Sequence, residues 1–441
     1  MSLQKSSSKN FLINSVLAFI PVSYIAGNLI LNLNVFLLIL LFFSFYRLQL
    51  FKKDLGKFDK LIIILFLYIF VNGILNNFLN FDFSSAQNKN VVLIKSILFL
   101  RFLIVYLIIK FLIKEGIIDF KLILLAFGGV SLFVSVDIIF QFFSGKDLFG
   151  FDGSSGRRLA GPFGDEFIAG SFIQRFFIFI ILFSIFFLNI KSKLLKLTFY
   201  FIVFFTSFIG IFFSGNRIPL ILFFLTLSIF CFYEKEIRKT FIIVFIISLF
   251  SIGYLAKTNK DLNYHYNLFY INSTEIVKYL FERLKTGKGE ITNTYNKELE
   301  SGFVTWEQNK IFGGGIKSFY WNCLKVKDHP TKKFGGTNCN SHPHNYYIEI
   351  ASELGLTGLF LVCTLFLFIF YKVGRIVHFS KVNNNLRLLT PFFIVFLVEI
   401  FPLKTTGSFF TTTNATFLFI ILSFVVGLSE VNKNIINYAK K

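Results

Sequence analysis

SHPHNYYIEIASELGLTG, residues 341–358, is the point where a long polar stretch gives way to an apolar helix. Its first five residues carry two imidazoles, a proline and an amide, and from Tyr346 onward the apolar residues recur at helical spacing. Asn345 is placed to cap that helix, which sets His344 at the helix's positive end. An imidazole there is pushed toward its neutral form and can accept a proton from a hydroxyl. The exposed amides of the first turn suit an anion such as a phosphate. Chemistry at a membrane surface would have this form.

On both sides of this junction the chain is membrane-like. Of its 441 residues 55% are hydrophobic and 67 are Phe, a composition of the multi-spanning class. The net charge of +21 would point to nucleic acid in a soluble chain. In a polytopic one it reflects Lys and Arg in cytoplasmic loops, so membrane lipid and not nucleic acid is the expected partner. Apolar runs near 20 residues number about twelve. They start near Phe11, Leu29, Leu61, Val91, Lys121, Ile168, Leu197, Ile218, Thr240, Tyr347, Leu388 and Thr412. The expected fold is therefore all-α, a polytopic membrane protein of about twelve transmembrane helices with one large periplasmic loop containing short helices. Helices 1–9 fall in residues 1–256, the loop in 257–343 and helices 10–12 in 344–441.

Threading the spans with the amino terminus inside gathers the basic clusters on one side: Lys5 and Lys9, Arg47 to Lys60, Lys110 to Lys121, Lys191 to Lys196, Lys235 to Lys239, Lys372 to Arg387 and Lys433 to Lys441. Both termini are thus expected in the cytoplasm. No cleavable leader is expected, because Phe11 to Gly27 runs straight into another apolar segment. The same threading puts residues 257–343, the stretch Gly145 to Glu166 and the turn Gly215 to Arg217 together on the outer face. Within the outer loop, helical spacing is expected over Glu275 to Leu284 and Gly302 to Lys310, with a tight turn at Gly313, Gly314 and Gly315.

Cys231 and Cys363 lie in apolar spans and read as core packing. Cys323 and Cys339 share the outer loop, where an oxidising periplasm would let them pair, at a gain of roughly 3 kcal/mol; two free thiols are the alternative. His342 adds a second base beside His344, but a third ligand at close spacing is missing and His329 is far in sequence, so no metal is expected. Arg217, in FFSGNRIPL, is costly near a membrane unless it meets a polar cavity or a phosphate, which its planar guanidinium suits; a lipid anchor is the plain reading. Arg157 and Arg158 open a glycine-punctuated loop that is either a second anion site or solvated. Lys95, Arg101 and Arg175 lie in spans, where Arg175 either snorkels or joins the cavity. Glu349 and Glu353 share a helix face beside His344, suited to orienting a hydroxyl or marking the interface. No phosphate-binding loop of the ATPase kind is present, and no cofactor is expected.

These segments resemble the O-antigen ligase and O-antigen polymerase superfamily of bacterial inner membranes. The resemblance rests on His344 and Asn345 followed by Glu353, Gly355 and Gly358; on RLAGPFGDE from Arg158 to Glu166; on SGNR ending at Arg217; and on WEQNKIFGGGIKSF from Trp306 to Phe319. It implies transfer of a glycan from an undecaprenyl diphosphate carrier to a sugar hydroxyl, with lipid A core as acceptor, on the periplasmic side and without a metal. His344 matches the family's proposed base and Arg217 its diphosphate-holding arginine. His342, Asn345 and Glu353 fall in the substrate-binding set. A second arginine expected four residues before Trp306 is Gly302 here, leaving Arg283 or Arg158 as substitutes. A polymerase extending carrier-linked repeats uses the same donor. A lipid-linked sugar transporter is the alternative of another class, although Pro21, Pro219, Pro391 and Pro402 do not fall in paired halves.

Overall fold

The computed structural model describes residues 8–79, 90–153, 158–188, 190–258, 260–287, 289–326, 329–331, 339–379, 388–402, 404 and 407–438. Lys5, Arg157, Arg387 and the last three residues, named above, lie outside them. The described residues form helices and no sheet, apart from one antiparallel bridge between Lys146 and Asp152. In chain order the helices are α1 (Ser8–Ala18), α2 (Ile20–Ile25), α3 (Asn28–Tyr46), α4 (Lys57–Leu79), α5 (Val91–Lys114), α6 (Phe120–Ser144), α7 (Ala169–Phe176), α8 (Ile178–Phe187) and α9 (Lys193–Phe213). They continue with α10 (Arg217–Tyr233), α11 (Arg238–Thr258), α12 (Lys260–Thr286), α13 (Thr294–Gln308), α14 (Phe319–Lys325), α15 (Tyr346–Phe379), α16 (Leu389–Glu399) and α17 (Thr412–Tyr438).

Among the described residues, eight helical stretches are long and apolar enough to cross a membrane: α3, α4, α5, α6, α7 with α8, α9, α15 and α17. The apolar helices α10 and α16 are shorter. The chain is therefore an all-α, multi-spanning membrane protein. Burial separates central from peripheral helices. The apolar window of α17 is 89% buried and that of α7 with α8 is 78%, against 28% for α3. Leu29 and Phe36 on α3, and Phe250 on α11, point outward as lipid-facing side chains do.

Several spans are broken where the sequence reads as continuous. The first is divided at Phe19 because Pro21 cannot donate within a helix and instead occupies the first turn of α2. α15 bends at Gly355, whose φ of 68° and ψ of −172° are not helical. In the polar region the expected short helix at Glu275 to Leu284 is the carboxyl-terminal part of the 27-residue α12, because helical spacing extends back through residues too polar to register as an apolar run. α13 and α14 complete that region.

The two ends of α17 are tied by buried ions. Near one end Lys110 bridges Asp59 at 2.5 Å and Glu430 at 3.0 Å, joining α4, α5 and α17. Near the other, Asn414 accepts from Arg175 at 2.7 Å. At 1.5 Å per residue the two lie roughly 24 Å apart, close to the apolar thickness of a bilayer.

Candidate functional site

The His344 segment is held by its neighbours on both sides. Asn345 Oδ1 accepts from the backbone N–H groups of Tyr347 at 3.0 Å and Ile348 at 3.2 Å, which is a side-chain cap on α15. Its amide donates to Pro402 O at 2.9 Å. Asn345 therefore shapes the segment, and both ends of its side chain are already engaged. His344 itself has φ of +51°, a conformation that side chains other than glycine rarely adopt and that tends to accompany functional sites. The His342 and His344 rings lie 4.4 Å apart. Burial lowers the pKa of His344 below its usual 6.5. Burial also lowers His342, to about 3, helped by the His344 ring and the Lys317 ammonium. Both rings are thus neutral bases at neutral pH. Ser341 Oγ lies 2.9 Å from His342 Nδ1, while His342 Nε2 is buried without a hydrogen-bond partner among the described residues.

Below this segment lies a charge cluster. Arg175, on α7, donates through Nε to Glu399 Oε2 at 3.0 Å and through Nη2 to Glu399 Oε1 at 2.7 Å. The Tyr346 hydroxyl donates to Glu399 Oε1 at 2.9 Å, and Lys404 Nζ bonds to the same oxygen. Arg175 thus turns inward and does not snorkel. One carboxylate faces Arg175 and Lys404 in a buried setting that Tyr346, two residues beyond His344, also enters; burial, with the Arg175 charge, lowers Lys404 to about 7.

α7 is also where the other polar elements meet. Phe163, in the Arg158 to Glu166 loop, packs on Phe172 of α7 with ring centroids 5.3 Å apart. The turn before Arg217 rests on Gly170, where a Cβ would lie 2.4 Å from Ser214 Oγ and 2.7 Å from the Asn216 Cβ. Tyr346 reaches Arg175 Nη2 at 3.5 Å. Gly170 and Arg175 are separated by roughly 7.5 Å along the helix. Arg217 begins α10, where the helix dipole favours an anion, and its guanidinium lies 5.4 Å from the Phe269 ring of α12. Arg158 is exposed.

The glycine turn locks onto the bend of α15. Gly315 N donates to Glu353 O at 2.7 Å, and Leu356 N donates to Lys310 O at 2.8 Å. A Cβ at Gly355 would lie 2.2 Å from Ile311 O, so the two backbones meet because neither presents a side chain there. Glu353, a candidate for substrate contact, is instead fully buried. Its carboxylate accepts from Lys317 N at 2.7 Å and Phe319 N at 3.4 Å, which makes it a brace for this turn. Glu349 is likewise buried, accepting from Phe409 N at 2.6 Å and from the Ser408 hydroxyl.

Gly302 faces the His344 segment, and a Cβ there would lie 2.3 Å from Ile348 Cγ2 and 3.1 Å from the Pro343 Cβ. An arginine has no room at this position. Arg283, a candidate substitute, is engaged elsewhere: its Nε lies 3.3 Å from Glu300 Oε2 and its Nη2 2.8 Å from Glu307 Oε1, so its charge is already balanced within the polar region. Cys323 and Cys339 are joined in a disulfide. His329 lies beside them, its Nε2 3.6 Å from Cys323 Sγ. These three side chains are close enough for a shared ion, but disulfide sulfurs are not thiolates and do not supply the usual donor set.

Several residues of this region were missed in the sequence. Tyr68, Asn72 and Asn76 form one stripe of α4 and donate to Leu354 O at 2.7 Å, Phe312 O at 2.6 Å and Gly313 O at 3.3 Å, clamping the glycine turn from the amino-terminal half. Their four-residue spacing on an apolar helix was the available sign. Lys317, Glu399 and Lys404 were silent because each is explained only by a partner distant in sequence.

These features define a multi-spanning helical membrane protein in which the turn before Arg217 and Tyr346, two residues beyond a neutral His pair, both touch one buried helix. Residues 202–363 match the family model described as O-antigen ligase. The match runs from α9 through the first half of α15, includes Arg217, the glycine turn and His344, and supports assignment of the chain to the O-antigen ligase and polymerase superfamily. No curated protein matches the chain.

Proposed function

We propose that this chain transfers a polysaccharide from an undecaprenyl diphosphate carrier to a sugar hydroxyl of lipid A core, at the periplasmic face of the inner membrane and without a metal. The observation that supports this reading is that the turn before Arg217, the Phe163 ring of the Arg158 to Glu166 loop and the Tyr346 hydroxyl, two residues past His344, all meet the single helix α7. About twelve membrane crossings with both termini in the cytoplasm bring these elements to the periplasmic side.

The acceptor hydroxyl attacks the anomeric carbon of the donor glycan while the bond from that carbon to the diphosphate oxygen breaks. The bonding pair leaves with the diphosphate, and the hydroxyl proton passes to neutral His344. Arg217 and the amides opening α10 face the charge that grows on the diphosphate, where a charge-assisted contact gains most. Arg158, which is exposed, supplies the second cation, in the role that Gly302 cannot fill. His342, whose ring lies 4.4 Å from that of His344, backs the base on the acceptor side. Because the donor is already activated, no nucleotide cofactor enters.

Loss of the gene tests the reading in cells. A ligase mutant accumulates long polysaccharide chains still attached to the carrier, with lipid A core left bare. Single-repeat products would assign the chain to polymerisation instead, and an unchanged lipopolysaccharide profile would contradict both.

A further inference from the structure

α13 crosses the His344 segment at Gly302, and the close approach that this glycine permits brings the preceding helical turn onto the imidazole. Glu298 occupies that turn. Its Oε1 lies 3.8 Å from His344 Nε2 and accepts from the amide of Asn340 at 3.2 Å. The carboxylate therefore bridges residues on either side of His342. His344 is 35% exposed while Glu298 is 15% exposed, so the ring faces the outside with the carboxylate behind it.

We infer that Glu298 is the positioning carboxylate of His344: it fixes the direction of the ring and offsets the positive charge that the ring acquires when it takes a proton from the acceptor hydroxyl. The inference rests on the proposed transfer reaction and adds a residue to it. A gap of 3.8 Å is long for a hydrogen bond, and catalytic pairs commonly tighten only when substrate is bound. The positive φ of His344 supports the pairing, since a strained backbone is retained where the surroundings over-determine it. The other ionisable groups that face the pair are His342 and, beyond it, Lys317.

Burial raises the Glu298 pKa to about 7 and keeps His344 below 6.5. As pH rises, the ring thus becomes neutral first and the carboxylate ionises second. Transfer then climbs through a second step near pH 7, where the anion becomes available to the developing imidazolium.

The test uses the full-length protein in lipid nanodiscs. Glu298→Gln imitates the protonated acid, so it should remove the step near pH 7 and lower kcat/KM above it at least about tenfold. Glu298→Asp should restore the step in part. A purely structural role for Glu298 would leave the shape of the pH profile unmoved, and that result would overturn the inference. A second readout needs no donor glycan: the rate at which diethyl pyrocarbonate modifies His344, followed by mass spectrometry with His342 of the same peptide as reference. Above pH 7 the wild type should react several-fold faster at His344 than Glu298→Gln, because acylation also builds positive charge on the ring. Equal rates would sink the pairing whatever the reaction proves to be. A rate difference in a protein that transfers no glycan would retain the pairing and discard the proposed function.

Discussion

Glu399 is the residue on which the cluster beneath His344 turns. It takes two bonds from Arg175, one from Tyr346 and one from Lys404, all shielded from solvent. Removing one partner of a buried ion set leaves the others uncompensated, typically at a cost of about 3–5 kcal/mol. Glu399→Gln should therefore lower the thermal unfolding temperature of the purified protein clearly, and an unchanged melting curve would show that the two cations find other compensation. The sequence flagged Arg175 as either snorkelling or turned inward and could not decide. The deciding partner stands 224 positions away, at the end of an apolar run where an acid looks like an interfacial marker. Glu353 illustrates the same limit in reverse. Spacing placed it beside His344, but only the packed structure shows that backbone amides occupy its carboxylate.

At the scale of elements, the glycine turn and the bend of α15 form one lock, in which backbone meets backbone and α4 closes the third side. Gly355 combines a positive φ with an approach that a Cβ would block at 2.2 Å. Gly355→Ala should therefore cost on the order of 2 kcal/mol or more, shifting both the helix bend and the glycine turn. A melt of this variant beside Gly129→Ala, where a Cβ would meet nothing within 4 Å, would check it, and equal stabilities would mean that the bend does not depend on this residue. The glycines were legible as a turn and as a motif, since glycine runs advertise close backbone approach. Their docking onto a helix kink was not, because the helical spacing that begins at Tyr346 reads straight through Gly355. α12 was under-read for the opposite reason: its residues hold helical spacing while being too polar to stand out.

Across the whole molecule, the membrane class and the gathering of distant polar segments follow from composition and from the distribution of Lys and Arg. Which helices are central does not, since lipid-facing and protein-facing apolar surfaces look alike in sequence. α7 with α8 and α17 are the buried ones, and they carry Arg175 and Asn414 into the region under the His344 segment. A charged residue is tolerated there because the surrounding helices supply every contact it makes. The proposed transfer needs His344 at the acceptor hydroxyl and Arg217 at the donor diphosphate. Its most direct test is release of undecaprenyl diphosphate by purified protein given a carrier-linked polysaccharide and a lipid A core acceptor. Wild-type protein should release the carrier in step with glycan transfer, whereas His344→Ala and Arg217→Ala, folded and present in equal amount, should each lose at least about a hundredfold in rate. Transfer at the wild-type rate by either variant would contradict the account.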